Sequence, residues 1–309
     1  MRILITGGAG FLGSHLVAEL ESRGHTVVVV DNLSTGRREN LANTGATLIH
    51  ADMGDPQVED LLRGCDVVFH LAAVTSVQES ESDPRRAIEI NTLATLKLAE
   101  WSAEAKVQRF VFFSSAAVYG EPERVPTPEN FPAAPKNIYG MTKFDGEVVL
   151  RIAGEKYGLP WTVIRAFNAY GPRQRRDSQY AAVIPAFITA ILRGELIKIF
   201  GDGHQTRDFV FAPDVAKIAA DLAEHDGAVG KIINLGTGTQ TSILALANKI
   251  AGIMGAPGYP KKFLPPKKED IRHSAADISL LKSLGLAPKT PLDEGLSLTV
   301  QHFAERFRR

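Results

Sequence analysis

The chain has a single cysteine, no excess of charge of either sign and no long apolar run. Cys65 alone cannot form an intrachain disulfide or a cysteine-ligated zinc site, and the 8 histidines show no spacing typical of metal ligands. The 35 Lys and Arg residues balance the 35 Asp and Glu residues, whereas a nucleic-acid-binding surface needs a basic excess. No stretch approaches the ~20 apolar residues that span a bilayer, and no leader precedes the first strand pattern. We therefore expect a soluble cytoplasmic protein that binds no metal, nucleic acid or membrane.

Short apolar segments alternate with longer helical patterns through the first half of the 309 residues. The segments are rich in β-branched residues and predict strands over residues 3–6, 26–31, 47–51, 67–70, 110–114 and 162–165. The patterns between them predict helices over residues 11–23, 84–105 and 139–157. Such alternation is typical of a parallel sheet covered by helices on both faces. The sequence thus predicts an α/β fold with a Rossmann-type doubly wound parallel sheet.

The pattern changes in the second half of the chain. It predicts helices over residues 182–192, 242–254 and 292–307, and strands over residues 196–200 and 232–235. Residues 261–270 are rich in Pro and Lys and predict a loop. We expect a nucleotide-binding domain over 1–168 and a smaller α/β substrate-binding C-terminal domain over 169–309. Segments of the second domain are expected to interleave with the first.

A glycine-rich turn joins the first predicted strand to the first predicted helix. Gly7, Gly10 and Gly13 follow a GxxGxxG spacing, which allows a tight turn and a close approach of pyrophosphate to the backbone. The helix N-terminus offers free N–H groups to phosphate. Any tight turn between a strand and a helix can need glycine, but Asp31 ends the second strand 24 residues after Gly7. That spacing suits a carboxylate that binds ribose hydroxyls, so we interpret the region as a dinucleotide site.

The same carboxylate bears on the choice of cofactor. Asp31 would repel the 2′-phosphate of NADP, so the sequence favours NAD. Arg37 and Arg38 follow it and could attract that phosphate, or they could form a solvated charged loop. The second interpretation is preferred as long as Asp31 holds the ribose.

Three polar residues suggest acid–base chemistry near the predicted sheet edge. Tyr139 and Lys143 are four residues apart near the start of a predicted helix, so their side chains share one face. A free tyrosine has a pKa of about 10 and needs a nearby positive charge to act as a base at neutral pH. Ser115 follows a predicted strand, where carboxyl ends of parallel strands face the ligand crevice. Alternatively, these residues are a surface tyrosine, a solvated lysine and a loop serine.

Taken together, these features resemble the extended short-chain dehydrogenases/reductases of the NAD-dependent epimerase/dehydratase family. Within it the chain is most similar to sugar-nucleotide 4-epimerases of the UDP-glucose/UDP-galactose type. The matching segments are residues 7–13, 31–36, 52–53, 70–73, 91, 114–120, 139–143, 165–174, 200–203 and 205–210. The resemblance extends essentially from one end of the chain to the other.

The resemblance implies a site for tightly bound NAD. Its pyrophosphate would contact Gly7, Gly10, Phe11 and Leu12, its adenosine ribose Asp31, Asn32, Ser34 and Gly36, and its adenine Asp52 and Met53. Further along the cofactor, the implied contacts are Leu71, Ala72, Ala73, Asn91, Tyr139, Lys143 and Phe167. The implied contacts of the sugar nucleotide are Ser115, Asn168, Val183, Phe200, Arg207, Lys267 and Asp270.

The resemblance also implies a reaction. Tyr139 as phenolate, assisted by Ser115 and Lys143, would take the proton from the sugar 4-hydroxyl while a hydride passes to NAD⁺. The 4-keto intermediate would turn and receive the hydride on its other face. Ala116 and Ala117 stand where related dehydratases carry an Asp-Glu pair, and decarboxylases of the family keep the Glu. Alanine cannot transfer protons, which favours epimerisation.

Further expectations follow from the family. A small Ser274 would leave room for UDP-GlcNAc and UDP-GalNAc, and the helices over 84–105 and 139–157 would form a homodimer. The implied pathway is galactose metabolism. One alternative is an NAD(P)-dependent reductase of a 4-keto sugar nucleotide, which would consume external cofactor. Another is a regulatory protein that binds NAD, although such relatives often lose the Tyr or the Lys.

Overall fold

The computed structural model of the chain describes residues 1–175, 182–266 and 271–307. Its strands are β1 (Arg2–Thr6), β2 (Thr26–Asp31), β3 (Thr47–His50), β4 (Val67–His70), β5 (Arg109–Ser115), β6 (Trp161–Ala166), β7 (Asn168–Tyr170), β8 (Ile197–Phe200), β9 (Thr206–Arg207), β10 (Phe209–Phe211), β11 (Lys231–Leu235), β12 (Thr241–Ser242) and β13 (Lys261–Leu264). Its α-helices are α1 (Phe11–Ser22), α2 (Pro56–Leu61), α3 (Val77–Ser82), α4 (Pro84–Ile88), α5 (Ala94–Glu104), α6 (Ile138–Tyr157), α7 (Val183–Leu192), α8 (Ala212–Glu224), α9 (Ile243–Ile253), α10 (Ser279–Ser283) and α11 (Leu292–Phe307). Within these described ranges, no helix is both long enough and apolar enough to cross a bilayer.

Seven parallel strands form the central sheet in the order β11-β6-β5-β4-β1-β2-β3. The central strands β1, β4 and β5 are buried along almost their whole length, which explains their nearly continuous apolar sequences. The order of connection reverses between β1 and β4, and a crevice opens there at the carboxyl ends of the strands. The doubly wound parallel sheet predicted from the sequence is confirmed.

Parts of the second half of the chain complete the first sheet. β11 pairs with β6 at its edge, and α8 packs against α1. The remaining segments build a second apolar cluster around α7, α9 and α11, with short two-stranded sheets beside it. The division at residue 168 stays a prediction, and β11 and α8, which follow that residue in the sequence, pack with the first sheet.

One sequence prediction of secondary structure was wrong, and another was confirmed with a change of helix type. Residues 261–264, predicted as loop, form β13, which pairs in parallel with β8. Lysine is common on edge strands because its charge discourages further pairing, so a Lys-rich segment can still be a strand. Residues 84–105, predicted as one helix, are helical through Glu104, with a π-helical segment, Glu89–Leu93, between α4 and α5.

Candidate active site

A cavity of about 710 Å³ occupies the crevice at the carboxyl edge of the central sheet. It runs from the turn after β1 past the ends of β4 and β5 to the segment that follows β7. Sixteen of the residues proposed from the sequence line it: Gly7, Gly10, Phe11, Leu12, Asp31, Asn32, Ser34, Asp52, Met53, Leu71, Ala72, Ala73, Ser115, Tyr139, Lys143 and Phe167. The fold therefore brings together residues that are up to 160 positions apart in sequence (167 − 7 = 160).

The glycine-rich turn leaves no room for side chains between β1 and α1. Gly7 has a φ of 73°, in the left-handed region that favours glycine. A Cβ atom at Gly13 would lie 2.2 Å from the carbonyl oxygen of Gly7. The glycines therefore bring the N-terminal backbone of α1 close to the turn and to the cavity, the arrangement that binds a pyrophosphate at a helix N-terminus. These residues fit a dinucleotide cofactor.

Asp31 lies at the end of β2 and organises the loop after it. Its carboxylate accepts hydrogen bonds from the backbone N–H groups of Ala9, at 2.9 Å, and Leu33, at 2.8 Å. Burial raises the pKa of Asp31, and the two backbone hydrogen bonds oppose that shift. Gly36 does not line the cavity, but a Cβ atom there would lie 2.7 Å from the Asp31 carboxylate. Gly36 thus makes room for the carboxylate that is proposed to bind the ribose.

The proposed acid–base residues come from β5 and α6. Asn137 caps α6 by accepting the N–H of Gly140 at 2.8 Å, which places Tyr139 in the first helical turn. The Tyr139 phenol is hydrogen-bonded to the Ser115 hydroxyl at the end of β5. Burial raises the pKa of Tyr139, whereas the hydrogen bond from Ser115 lowers it. The geometry predicted for these two side chains is present, but the chain alone holds the phenol in its neutral form.

Lys143 lies one helical turn beyond Tyr139 and is almost fully buried. Its ammonium donates to the carbonyl oxygen of Phe113 at 2.9 Å and lies 4.9 Å from the centre of the Phe112 ring. Burial lowers the pKa of Lys143 to about 8. The ammonium is therefore anchored to β5, and Lys143 lines the cavity.

Asn91 is placed differently from the expectation. It is buried in the π-helical segment and, like Gly36, is absent from the described residues that line the cavity. Its side chain accepts the N–H of Val74 at 2.8 Å and donates to the carbonyl oxygen of Val74 at 3.0 Å and to the Thr142 hydroxyl at 3.0 Å. Val74 lines the cavity, and Thr142 lies on α6 next to Lys143. Asn91 therefore supports the cavity wall from behind.

The residues proposed for the sugar nucleotide are less closely grouped than those proposed for the cofactor. Among the described residues, Asn168, Val183, Phe200 and Arg207 do not line the cavity. Asn168 begins β7, Val183 begins α7, and Phe200 and Arg207 belong to the short sheets of the second unit. Lys267 and Asp270 lie outside the described residues. These assignments stay predictions.

Several cavity residues were not anticipated from the sequence, most notably Arg173. This residue has a φ of 67° and donates from its side chain to the carbonyl oxygen of Ser14 at 2.9 Å. Its backbone N–H donates to His302 on α11 at 3.1 Å. Other unanticipated polar residues at the cavity include Glu79, Arg86, Gln174 and Arg175. Arg173 belongs to the Gly-Pro-Arg-Gln segment after β7, which was the signal in the sequence that could have identified it.

Among the described residues, no group of three or more His, Cys, Asp and Glu side chains could hold a metal ion.

Comparisons with known proteins agree with this geometry. The chain is 40% identical to the UDP-glucose 4-epimerase of Mycolicibacterium smegmatis over 99% of both chains. It superimposes with a TM-score of 0.94 on Thermotoga maritima UDP-glucose 4-epimerase, solved with UDP-glucose, at 40% identity and over 99% and 100% of the two chains. The UDP-N-acetylglucosamine 4-epimerase of Methanobrevibacter ruminantium, solved with UDP-N-acetylmuramic acid, gives a TM-score of 0.95 at 38% identity over 99% and 98%. Residues 3–236 match the profile of the NAD dependent epimerase/dehydratase family, to which the chain therefore belongs.

Proposed function

We propose that the protein is an NAD-dependent 4-epimerase of UDP-hexoses that interconverts UDP-glucose and UDP-galactose. The observation that carries the proposal is the hydrogen bond between Ser115 and Tyr139, with Lys143 one turn away, at the wall of a dinucleotide-sized cavity. The names of the similar proteins support the same reaction and the same class of substrate.

NAD is proposed to lie with its pyrophosphate at the start of α1 and its adenosine ribose near Asp31. Held there, NAD⁺ would supply reversible hydride transfer at the sugar carbon. Its positive charge also favours the ionised phenol, which the chain alone does not. Tyr139 then removes the proton from the sugar 4-hydroxyl, and Ser115 and Lys143 orient the phenol for this transfer.

The residues beside Ser115 favour epimerisation over the other reactions of the family. Ala116 and Ala117 carry no ionisable group, so neither can deliver or accept a proton for elimination or decarboxylation. The Ser115 hydroxyl accepts the N–H of Ala117 at 3.2 Å, which fixes its orientation. Reversible oxidation at one carbon is the reaction that this limited set of proton-transfer groups can support.

The N-acetylated pair UDP-GlcNAc and UDP-GalNAc is proposed as a second set of substrates. The name of the Methanobrevibacter enzyme supports this extension. Ser274 is half-buried and donates its N–H to the carbonyl oxygen of Thr206 at 3.2 Å. Ser274 is not among the described residues that line the cavity. It would therefore influence which sugar is accepted indirectly, through the position of the neighbouring backbone. A Ser274→Tyr variant that accepts both sugar pairs in the wild-type ratio would exclude this role.

A homodimer is proposed through α5 and α6, which pack against each other. Leu96 on α5 is 39% exposed and Ile152 on α6 is 47% exposed, and Leu93 just before α5 is 56% exposed. A second copy would cover these side chains. Sedimentation should show a dimer for the wild type and a monomer for Leu96→Lys. The Leu298→Lys variant, on α11 and 45% exposed in the wild type, is the control and should stay dimeric.

A cytoplasmic location and a role in galactose metabolism are proposed from the substrates alone. UDP-galactose is an activated form of galactose, and its interconversion with UDP-glucose links the two sugars. Cell fractionation and growth of a deletion strain on galactose test these two proposals separately.

The reaction is tested with purified protein and no added cofactor. UDP-galactose, UDP-glucose, UDP-GlcNAc and UDP-GalNAc are supplied one at a time, and proton NMR follows their anomeric signals. Interconversion of a 4-epimer pair would support the proposal and identify the sugar. Absence of turnover with all four, together with NAD released on denaturation, would contradict it. Oxidation of added NADPH when a 4-keto sugar nucleotide is supplied instead, with no turnover of the four UDP-sugars, would indicate a 4-keto-sugar reductase.

A further inference from the structure

A row of buried polar residues crosses the central sheet directly beneath the site. Ser114 on β5 is paired in register with Arg165 on β6, and Arg165 is paired with Asn234 on β11. All three are at most 4% exposed. Parallel strands buried on both faces are normally apolar, so a polar row at this depth requires its own explanation.

Arg165 and Glu147 form a buried ion pair at the centre of this row. Arg165 Nε donates to Glu147 Oε1 at 2.9 Å, and Arg165 Nη2 donates to Glu147 Oε2 at 2.7 Å. Ser114 Oγ also donates to Glu147 Oε1, at 2.5 Å. Arg165 Nη1 donates to the carbonyl oxygen of Glu129 at 3.0 Å, and the guanidinium lies 4.6 Å from the centre of the Tyr119 ring. The planar fork of arginine fits this arrangement, whereas lysine could not make the two parallel bonds.

Glu147 belongs to the same helix stripe as the proposed acid–base residues. Tyr139, Lys143 and Glu147 are spaced at four-residue intervals on α6, so they share one face. Tyr139 meets Ser115 and Glu147 meets Ser114, which are adjacent residues of β5. Lys143, between Tyr139 and Glu147, donates to the carbonyl oxygen of Phe113, so the helix is attached to the end of one strand at three points spread over two helical turns.

Two glycines let α6 approach the end of β5 unusually closely. A Cβ atom at Gly146 would lie 2.4 Å from the Phe112 ring, and one at Gly140 would lie 2.7 Å from the carbonyl oxygen of Ala117. Close contact without interlocking side chains would allow the helix to slide along its axis. The two parallel bonds between Glu147 and Arg165 resist such a shift, together with the bond from Lys143 to Phe113.

We propose that the Glu147–Arg165 ion pair is a positioning clamp. It fixes the position of α6 along its axis relative to β5 and thereby keeps the Tyr139 phenol hydrogen-bonded to Ser115. The proposal rests on the proposed function, because it explains how the acid–base residues are aligned. A role in stability alone would not require the pair, since well-packed apolar residues of similar volume stabilise a core as well as a buried ion pair does.

The test compares Glu147→Gln with Glu155→Gln. Both lie on α6, but Glu155 belongs to an exposed ion pair with Arg151 at 3.6 Å, in which the side chains are 67% and 58% exposed. Glu147→Gln keeps the shape of the side chain and loses the paired charge. We expect it to lower kcat on the order of 100-fold with little change in KM or NAD content, because small displacements of reacting groups have large effects on rate. Glu155→Gln should resemble the wild type.

A second measurement separates this proposal from the proposed reaction. The ionisation of Tyr139 is followed by tyrosinate absorbance, as the difference between each protein and its Tyr139→Phe counterpart. Displacing the phenol from Ser115 removes the hydrogen bond that lowers its pKa, so Glu147→Gln should titrate at higher pH than the wild type. This shift is measurable even if the wild type epimerises none of the four UDP-sugars, in which case the proposed function fails and the clamp is still tested.

The variant that tests the proposal depends on whether Glu147→Gln folds. If Glu147→Gln does not fold, the double variant Glu147→Leu with Arg165→Met replaces both charges with apolar side chains of similar size, and the same losses are expected. Folded variants with wild-type kcat and wild-type titration of Tyr139 would overturn the proposal. Loss of bound NAD, or failure of the double variant to fold, would overturn it too, because the pair would then serve cofactor retention or folding.

Discussion

Lys143 Nζ donates a hydrogen bond to the carbonyl oxygen of Phe113 at a distance of 2.9 Å. This bond holds an ammonium group in a site where its side chain is only 4% exposed. Burial lowers the pKa of Lys143 to about 8 from an ordinary value of 10.5. The fold therefore places the Lys143 ammonium near the proposed base, in a buried site that destabilises its charged form.

This arrangement predicts that Lys143 destabilises the protein at neutral pH. Between pH 8 and 10.5 the unfolded chain binds the Lys143 proton and the folded chain does not, so stability rises with pH across that window. At pH 7 both states are protonated and the full penalty, about 3 kcal/mol for 2.5 pKa units, is present. Lys143→Met removes this penalty but also loses a hydrogen bond worth about 1 kcal/mol.

We expect Lys143→Met to raise the free energy of unfolding by about 2 kcal/mol at pH 7 and to abolish activity. Near pH 10 most of the stability gain should disappear. Urea denaturation of both proteins at the two pH values measures the difference. An equal change in the free energy of unfolding at both pH values would show that burial does not destabilise the charged form of Lys143 in the folded protein.

Tyr139→Phe tests the proposed base directly. The substitution keeps the ring and removes only the hydroxyl that bonds to Ser115. Loss of a positioned general base lowers kcat by roughly 10²- to 10⁴-fold, and NAD content should be retained because the other cavity residues proposed to contact the cofactor are unchanged. The measurements are NMR turnover and NAD released on denaturation. Turnover at the wild-type rate would exclude Tyr139 as the base.

Asp31→Asn is expected to affect both the cofactor and the loop that surrounds it. The carboxylate accepts N–H groups from Ala9 and Leu33, and Leu33 has a φ of 58° that the loop must maintain. An amide presents one oxygen and one NH₂ group, so one of the two backbone donors loses its acceptor at a cost of about 1–3 kcal/mol. We expect lower thermal stability and less bound NAD.

The same geometry predicts that Asp31→Asn does not create an NADP enzyme, because the loop near Arg37 is disturbed as well. Fluorescence titration with NAD and NADP measures the preference. Asp60→Asn is the control, since Asp60 is 71% exposed and forms a surface ion pair with Arg63. A variant that keeps wild-type stability and gains affinity for NADP would contradict the structural role of Asp31.

The sequence was most informative where the chemistry is local. The glycine-rich turn, Asp31 at the end of β2 and the shared face of Tyr139 and Lys143 depend on residues close together in the chain, and each was predicted. The role of Asn91 was not, because its partners Val74 and Thr142 are 17 and 51 residues away. A local pattern contains no information about such contacts.

The pKa shifts of the site residues likewise could not be predicted from the sequence. The pattern predicted a tyrosine whose pKa is lowered by a neighbouring lysine. In the folded chain, burial has the largest effect on the pKa of both groups. It raises the pKa of Tyr139, which keeps the phenol neutral, and lowers the pKa of Lys143, which makes the ammonium easier to deprotonate. Burial is set by how α6 lies on β5, which depends on Gly140 and Gly146 and on the distant Arg165. The strand β13 was missed for a related reason, since its pairing partner β8 lies more than 60 residues earlier.

Glycine offers a matched pair of substitutions that separates close packing at the site from helix propensity. Both Gly13 and Gly252 lie within α-helices, α1 and α9, and neither has a positive φ. A Cβ atom at Gly13 would lie 2.2 Å from the Gly7 carbonyl oxygen and 2.7 Å from the Gly8 Cα, both backbone atoms, whereas a Cβ atom at Gly252 would meet nothing within 4 Å. Gly13→Ala must therefore push α1 away from the turn that is proposed to bind pyrophosphate.

We expect Gly13→Ala to lose bound NAD and to lower the free energy of unfolding by about 1–3 kcal/mol, the typical range for overpacking. Gly252→Ala should raise that free energy by about 0.5–1 kcal/mol, because alanine loses less backbone entropy than glycine in a helix, and should leave NAD content unchanged. Thermal denaturation and NAD released on denaturation measure both effects. If Gly13→Ala retained its NAD and its stability, the close approach of α1 to the turn would not be what forms the cofactor site. If Gly252→Ala also lowered the free energy of unfolding, the loss of stability in Gly13→Ala could not be assigned to the close approach of α1 to the turn.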